Sequence, residues 1–254
     1  MTTYNPLDLG GRVVLVTGAS SGIGRATAAV LSRLGARVVL SGRRVDALDE
    51  TRAALERPEA HAVEPFDLAD LDDIPAWVRG VRERAGAPLH GVVHAAGLGG
   101  TSPIRALSRR AIDAILVPNF HAALMLLRGA SAKGVPPEAG ASFVIISSAA
   151  AMVATKGLVV YAGSKGALHA VVKSAAQELA DKRIRVNCVA PAYVATPMLE
   201  QAQSELPGRF THLDKQFLGV IEPEEVGVAV AYLLSDAART ITGTVLTIDS
   251  GYTL

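Results

Sequence analysis

The sequence predicts an α/β fold in which helices cover a parallel β-sheet. Seven short β-branched runs alternate with longer amphipathic stretches, and a cluster of glycines stands between the first run and the first helix. No internal repeat, heptad pattern, low-complexity tract or linker interrupts the alternation. With 254 residues, half of them apolar, one domain spanning 1–254 around a large core is expected.

The strands are expected at Arg12–Thr17, Arg37–Ser41, His61–Phe66, Gly91–His94, Ser142–Ser147, Arg185–Ala190 and Val245–Ile248. Between them, apolar residues spaced by three and four predict helices at Ile23–Leu34, Val45–Leu55, Ile74–Ala85, Ser108–Ser131, Leu158–Ala180 and Glu224–Ser235. The turn-rich KGVPPEAGAS, 133–142, is a connection before a strand. The stretch 197–222 has no clear period and holds Pro207, Gly208 and mixed charges. Loops of that length inside compact domains usually contact ligands, so it is the candidate substrate lid.

Composition narrows the partners. Twenty-five basic residues against 24 acidic leave a net charge of +1, which gives no electrostatic reason to expect nucleic acid or an anionic membrane. The single cysteine, Cys188, cannot form an internal disulfide, and its neighbours Val186, Val189 and Ala190 favour a buried structural thiol. The N-terminus lacks the basic and apolar regions of a signal peptide, and no apolar run approaches the roughly 20 residues of a membrane helix. A soluble, cytoplasmic protein is expected.

In VVLVTGASSGIGRATAAVLSRLG the first strand passes through Gly18, Gly22 and Gly24 into a helix. A dinucleotide pyrophosphate needs a tight turn, backbone that can touch phosphate and helix N-terminal amides aimed at the anion. The spacing is G-x-x-x-G-x-G, not the commoner G-x-G-x-x-G, and an ordinary turn is the competing reading. Its place between strand and helix favours a cradle made by Gly18, Ser20, Ser21, Gly22, Ile23 and Gly24. After the second strand, Ser41 and Gly42 lead into Arg43 and Arg44, with no acid to accept from a ribose 2′-hydroxyl. Basic side chains suit a 2′-phosphate, so NADP(H) is expected over NAD(H), with Arg43 as principal ligand. Two solvated arginines at a helix start are the alternative. Asp67, with Leu68 beside it, follows the third strand and is placed to meet the adenine edge; an N-cap for the next helix is an equal contender for Asp67.

Tyr161 and Lys165 in YAGSK are four positions apart, which puts both on one helix face. A hydride delivered to a carbonyl carbon builds negative charge on oxygen, which a donor must hold and protonate. A phenol with a pKa near ~10 becomes suited to that work when a nearby ammonium lowers it. Alone, the pair is also what an ordinary helix edge would show.

Together, TGASSGIG (17–24), AAG (95–97), Asn119, Ser148, YAGSK (161–165), RVNCVAPAYVATPM (185–198) and ITGTVLTIDSGY (241–252) resemble, in order and over nearly the whole chain, the landmarks of the short-chain dehydrogenases/reductases in their compact form. The resemblance implies a doubly wound, Rossmann-like fold with seven parallel strands in the order 3-2-1-4-5-6-7 and ligands at the strands' carboxyl ends. It implies a tetrad of Asn119, Ser148, Tyr161 and Lys165. Tyr161 is the proton donor, and Lys165 lowers its pKa and binds the nicotinamide ribose. Ser148 donates to the substrate oxygen, and Asn119 orders a water beside Lys165. Ala95, Ala96 and Gly97 line the cofactor, Pro191 and Val194 flank the nicotinamide, and Thr196 contacts its carboxamide. Asn187 is expected to tie the sheet together.

Three positions depart from the family pattern. Ala95 replaces an asparagine thought to brace the sheet, and His94 before it is read as a satisfied structural histidine, with compensation for that asparagine or contact with the adenosine side as the alternatives; Ala192 and Ser250 stand where glycine is common. Residues 98–104, 149–154 and 192–217 are expected to form the substrate pocket. Its small apolar AAAMVA segment suggests a largely apolar ketone or secondary alcohol, while Arg209, His212 and Lys215 could meet an acidic group or simply face solvent. The expected activity is NADP(H)-dependent carbonyl reduction by an oxidoreductase without a metal. An NAD-linked alcohol dehydrogenase and a non-catalytic dinucleotide-binding regulator are the alternatives. The two long helices resemble those through which the family forms dimers and tetramers, so a homo-oligomer is expected.

Overall fold

The computed structural model describes residues 5–205 and 213–254. Its seven strands form one parallel sheet in the order β3-β2-β1-β4-β5-β6-β7, as expected. They are β1 (Val13–Thr17), β2 (Arg37–Ser41), β3 (Ala62–Val63), β4 (Gly91–His94), β5 (Ala141–Ile146), β6 (Ile184–Pro191) and β7 (Val245–Ile248). The helices are α1 (Gly22–Arg33), α2 (Val45–Ala53), α3 (Ile74–Ala85), α4 (Arg109–Leu116), α5 (Ala122–Ala130), α6 (Val159–Glu178), α7 (Pro197–Glu205) and α8 (Pro223–Leu234).

Side chains alternate across a strand, and helices cover both faces here, so the strands are apolar on both sides. Val14, Val16, Val38, Leu40, Val144 and Val189 pack with Ala28 and Leu31 of α1 and Val226 and Val230 of α8. From the other face, Leu15, Val39, Phe143, Ile145 and Cys188 pack with Ile74 and Val78 of α3, Leu126 of α5, and Leu168 and Val172 of α6. Cys188 is the buried thiol expected of it, with burial raising its pKa to about 12. Asn187 also does what was expected: its Nδ2 donates to the Ile241 carbonyl at 3.0 Å and its Oδ1 accepts from Thr244 N at 3.1 Å, fixing the approach to β7.

Three elements differ from the sequence reading. The strand expected over His61–Phe66 is reduced to two ladder residues, Ala62–Val63, although Glu64 N and Phe66 N still donate to the Leu40 and Gly42 carbonyls, with Pro65 between them facing away from β2. The helix expected over Ser108–Ser131 begins with Ser108 as its N-cap but is divided by a π-turn, Val117–His121, with Pro118 inside it. Proline has no N–H and crowds the carbonyl four residues back; the chain widens by one residue, and Ala122 N donates to Val117 O. By length and composition alone the joined stretch Arg109–Ala130 would suffice to cross a membrane, contrary to expectation. Its inner face, including Asn119, Ala122, Ala123 and Leu126, is buried in the fold. The aperiodic stretch from Pro197 opens with α7, started by a legible signal: Thr196 accepts from Leu199 N, and Pro197 occupies the first helical position.

Candidate active site

The carboxyl ends of β1, β4, β5 and β6 converge on one cleft. After β1, Gly18 has φ +70°, and a Cβ there would lie 2.6 Å from Ala96 N. A Cβ on Gly24 would lie 2.2 Å from the Gly18 carbonyl oxygen. Both glycines are therefore required by close backbone approach. The first turn of α1 has no acidic side chain, and its N-cap Ser21 makes no side-chain capping bond, so its amides face the cleft without a built-in anion. Thr196, at the start of α7, lies across from Gly22: a Cβ on Gly22 would come within 3.3 Å of its Cγ2. At the end of β2, Arg43 and Arg44 are exposed and neither guanidinium has an ion pair or hydrogen bond among the described residues. The buried Ser41 hydroxyl oxygen beside them has no partner.

Asp67 is exposed, and its Oδ1 accepts from Ala69 N at 3.0 Å, while Leu68 is buried. Asp67 is not the N-cap of α3, since Asp73 holds that position without a side-chain capping bond; the Asp67 carboxylate instead closes a local turn. Val194 is buried and paired with Ile221 across an isolated parallel bridge. Thr196 also bonds to the Val194 carbonyl at 3.2 Å.

The four tetrad positions are brought together. Ser148 stands just beyond β5, its Oγ accepting from Ala150 N at 3.1 Å. Tyr161 and Lys165 share a face of α6, with the Lys165 Nζ 6.0 Å from the phenol ring centroid. That nitrogen is buried and donates to the Ile146 carbonyl at 2.8 Å. A Cβ on Gly97 would lie 3.3 Å from Lys165 Nζ and 3.0 Å from Asn119 Oδ1, so the turn after β4, the π-turn and α6 meet at one point. Asn119 is fully buried. Its Oδ1 accepts from Leu98 N at 2.8 Å, and its Nδ2 donates to Leu98 O at 3.0 Å and to Ser164 Oγ at 3.1 Å. The side-chain amide thus braces the turn after β4 against α6 beside Lys165.

Burial pushes the pKa of Tyr161 above the ordinary phenol value, and the nearby Ser148 hydroxyl pulls the other way. Lys165 is itself pushed down to about 8 by burial. Burial and the Ser148 hydroxyl thus act on the phenol in opposite directions, burial the more strongly.

Two supporting groups were missed in the sequence. Ser147 Oγ donates to the Lys165 carbonyl at 2.9 Å, and His169 Nε2 lies 2.8 Å from the same hydroxyl, so the imidazole must be the donor there. His169 is one turn beyond Lys165, a spacing that could have flagged it. Gln216, buried in the aperiodic stretch, accepts from Tyr193 N at 2.8 Å and donates to Tyr193 O at 3.2 Å and Gly219 O at 3.0 Å. No periodic signal marked it. Leu98, Ile104, Met152 and Met198 are exposed apolar side chains on the segments that follow β4, β5 and β6; Phe217 and Lys215 are also exposed, Phe217 beside Gly251 after β7. Arg209 and His212 lie outside the described residues.

The family model described as enoyl-(acyl carrier protein) reductase matches residues 18–253, from the glycine turn to the C-terminus. Human L-xylulose reductase is 35% identical over 251 residues, covering 97% of this chain and 98% of that protein. The chain belongs to the short-chain dehydrogenase/reductase family. Gluconate 5-dehydrogenase of Gluconobacter oxydans is 33% identical over 253 residues, covering 97% of this chain and 96% of that one. Among solved structures, a short-chain dehydrogenase/reductase from Serratia marcescens superposes with a TM-score of 0.86 at 28% identity, covering 98% of this chain and 100% of that chain. The angucycline C-6 ketoreductase LanV with bound NADP gives 0.86 at 31% identity, covering 97% of each. Family membership and the seven-stranded fold thus agree with the sequence motifs.

Proposed function

We propose that this short-chain dehydrogenase/reductase is an NADP(H)-dependent oxidoreductase that reduces a carbonyl of a largely apolar substrate. The observation that carries this is the meeting of two hydroxyls, Ser148 and Tyr161, over the buried Lys165 ammonium beside the glycine turn. The cleft fits a dinucleotide: Gly18 and Gly24 leave room that a Cβ would fill, the amides of α1 face it uncapped, and an orphaned Ser41 hydroxyl stands at its far end. Gly18, Ser20, Ser21, Gly22, Ile23 and Gly24 would hold the pyrophosphate, and Arg43 with Arg44 the 2′-phosphate. Asp67 and Leu68 would border the adenine, Ala95, Ala96 and Gly97 the adenosine side, and Pro191, Val194 and Thr196 the nicotinamide. When bound, the nicotinamide supplies or accepts the two-electron equivalent at its C4.

Ser148 donates a hydrogen bond to the substrate oxygen, and Tyr161 transfers its phenolic proton to that oxygen as negative charge develops. Lys165 stabilises the resulting phenolate, since its ammonium is mostly retained below about pH 8. The relatives named for xylulose and gluconate act on polar molecules, whereas the segments after β4, β5 and β6 here present Leu98, Ile104, Met152 and Met198; a hydrophobic ketone is the better fit.

The deciding experiment is a panel of ketones followed by NADPH absorbance with the wild type and Tyr161→Phe. An active ketone whose turnover falls about 10²- to 10⁴-fold in the variant is expected. Near wild-type turnover in a variant that still binds cofactor would exclude Tyr161 as the proton donor.

A further inference from the structure

We propose that His94 is a positioning residue for this site, locking the π-turn that carries Asn119 to the strand end that carries the glycine turn. The proposal rests on the reading of Asn119, Tyr161 and Lys165 as the proton-transfer group.

His94 is the last residue of β4 and is fully buried. Both ring nitrogens are engaged: Nε2 lies 3.0 Å from the Pro118 carbonyl and Nδ1 lies 3.0 Å from Thr17 Oγ1. A carbonyl can only accept, so Nε2 carries the proton and Nδ1 must accept from the Thr17 hydroxyl. Thr17 Oγ1 is also 3.4 Å from Ala96 N, which donates to it. A directed chain therefore runs from the Ala96 amide through Thr17 and the imidazole to Pro118, crossing from β1 and β4 into the π-turn.

Both ends matter to the site. Thr17 immediately precedes Gly18, whose φ of +70° starts the glycine turn. Pro118 immediately precedes Asn119, whose amide holds Leu98 and Ser164. Pro118 breaks the local α-helical ladder, so the π-turn needs an outside tie, and His94 supplies a donor to it. Ala95, where the family's bracing asparagine is usual, carries no side-chain hydrogen bond of its own, and the brace has moved one residue back to His94.

The groups facing the imidazole are Thr17 from β1, the Pro118 and Asn119 carbonyls from the π-turn and the Lys165 ammonium from α6. Burial and Lys165 push its pKa down to about 3, so the donor–acceptor polarity is kept throughout the working range.

Nitrogen-15 NMR of histidine-labelled protein saturated with NADP should show one imidazole with protonated Nε2 and bare Nδ1, unchanged from about pH 5 to 9. A spectrum in which every histidine titrates in that range would overturn the proposal. In kinetics, His94→Leu is expected to lower kcat about tenfold and to move the alkaline limb of the kcat profile, with the cofactor Kd within about threefold. His94→Gln, whose amide can accept from Thr17 and donate to Pro118, should recover most of the loss. A folded His94→Leu with unchanged kcat and limb, or a Gln variant that regains thermal stability without kcat, would overturn it. Should the Leu variant not fold, Thr17→Val removes only the hydroxyl at Nδ1 and is expected to reduce kcat about threefold; unchanged kcat there counts against the brace. Tyr161→Phe measured alongside separates the two readings, since retained turnover would overturn the proton-donor assignment while leaving the NMR signature of His94 untouched.

Discussion

At the β5–α6 end of the cleft the polar side chains are buried and committed: Lys165 to Ile146, Asn119 to Leu98 and Ser164, Ser147 to the Lys165 carbonyl. At the β2 end, Arg43 and Arg44 are exposed with no ion pair or hydrogen bond among the described residues. The first end is organised in advance, with desolvation shifting its titratable groups. The second keeps its charges in water until a ligand with phosphate oxygens meets them. Catalysis needs groups already aimed at a developing charge, whereas discrimination between two cofactors needs only a charge that one of them can use.

The contrast can be broken at either end. The largest effect is expected from Tyr161→Phe, through its loss of turnover. Next, Arg43→Glu should change the ratio of NADPH to NADH efficiency by about 10- to 100-fold, chiefly through the KM for NADPH. A ratio that stays put would mean that the arginines are merely solvated.

Lys165→Met should abolish most activity yet stabilise the fold. Lys165 has a folded pKa of about 8, below its usual 10.5, so the unfolded chain binds more protons between those values and stability rises with pH across them. At pH 7 the buried charge costs about 3 kcal/mol, of which the lost bond to Ile146 returns about 1. A net gain of about 2 kcal/mol in chemical denaturation is expected at neutral pH, shrinking as pH rises from about 8 towards 10.5. A variant less stable than the wild type at pH 7 would contradict this.

The acid side is set by His94. Its pKa is lowered from 6.5 to about 3, so its contribution is complete above 6.5 and is lost as pH falls towards 3. Wild-type Tm should decline through that window, and the decline should be shallower in His94→Gln.

The residues that carry chemistry were legible because each leaves a local mark. The glycine turn needs its spacing within one strand–helix junction, and Tyr161 and Lys165 need only a helix period. The seven strands and their order followed from the alternation and the family landmarks, while β3 is shorter than its β-branched run suggested. Less was legible where function depends on a carbonyl or on a far segment. Pro118 reads in sequence as a flaw in a helix, but its π-turn carries Asn119, and its carbonyl bonds His94, 24 positions away. Gln216 sits in a stretch without period and acts wholly through the backbone of Tyr193 and Gly219.

The sequence by itself determined the alternation of strands and helices and, through its family landmarks, the strand order and the residues proposed for the site, since periodicity and motif spacing are properties of neighbouring residues. Only the tertiary structure decided their state. Burial raises the pKa of Tyr161, and the Asn119 amide bonds Leu98 and Ser164, because desolvation and hydrogen-bond partners are set by what folds around a group from elsewhere in the chain.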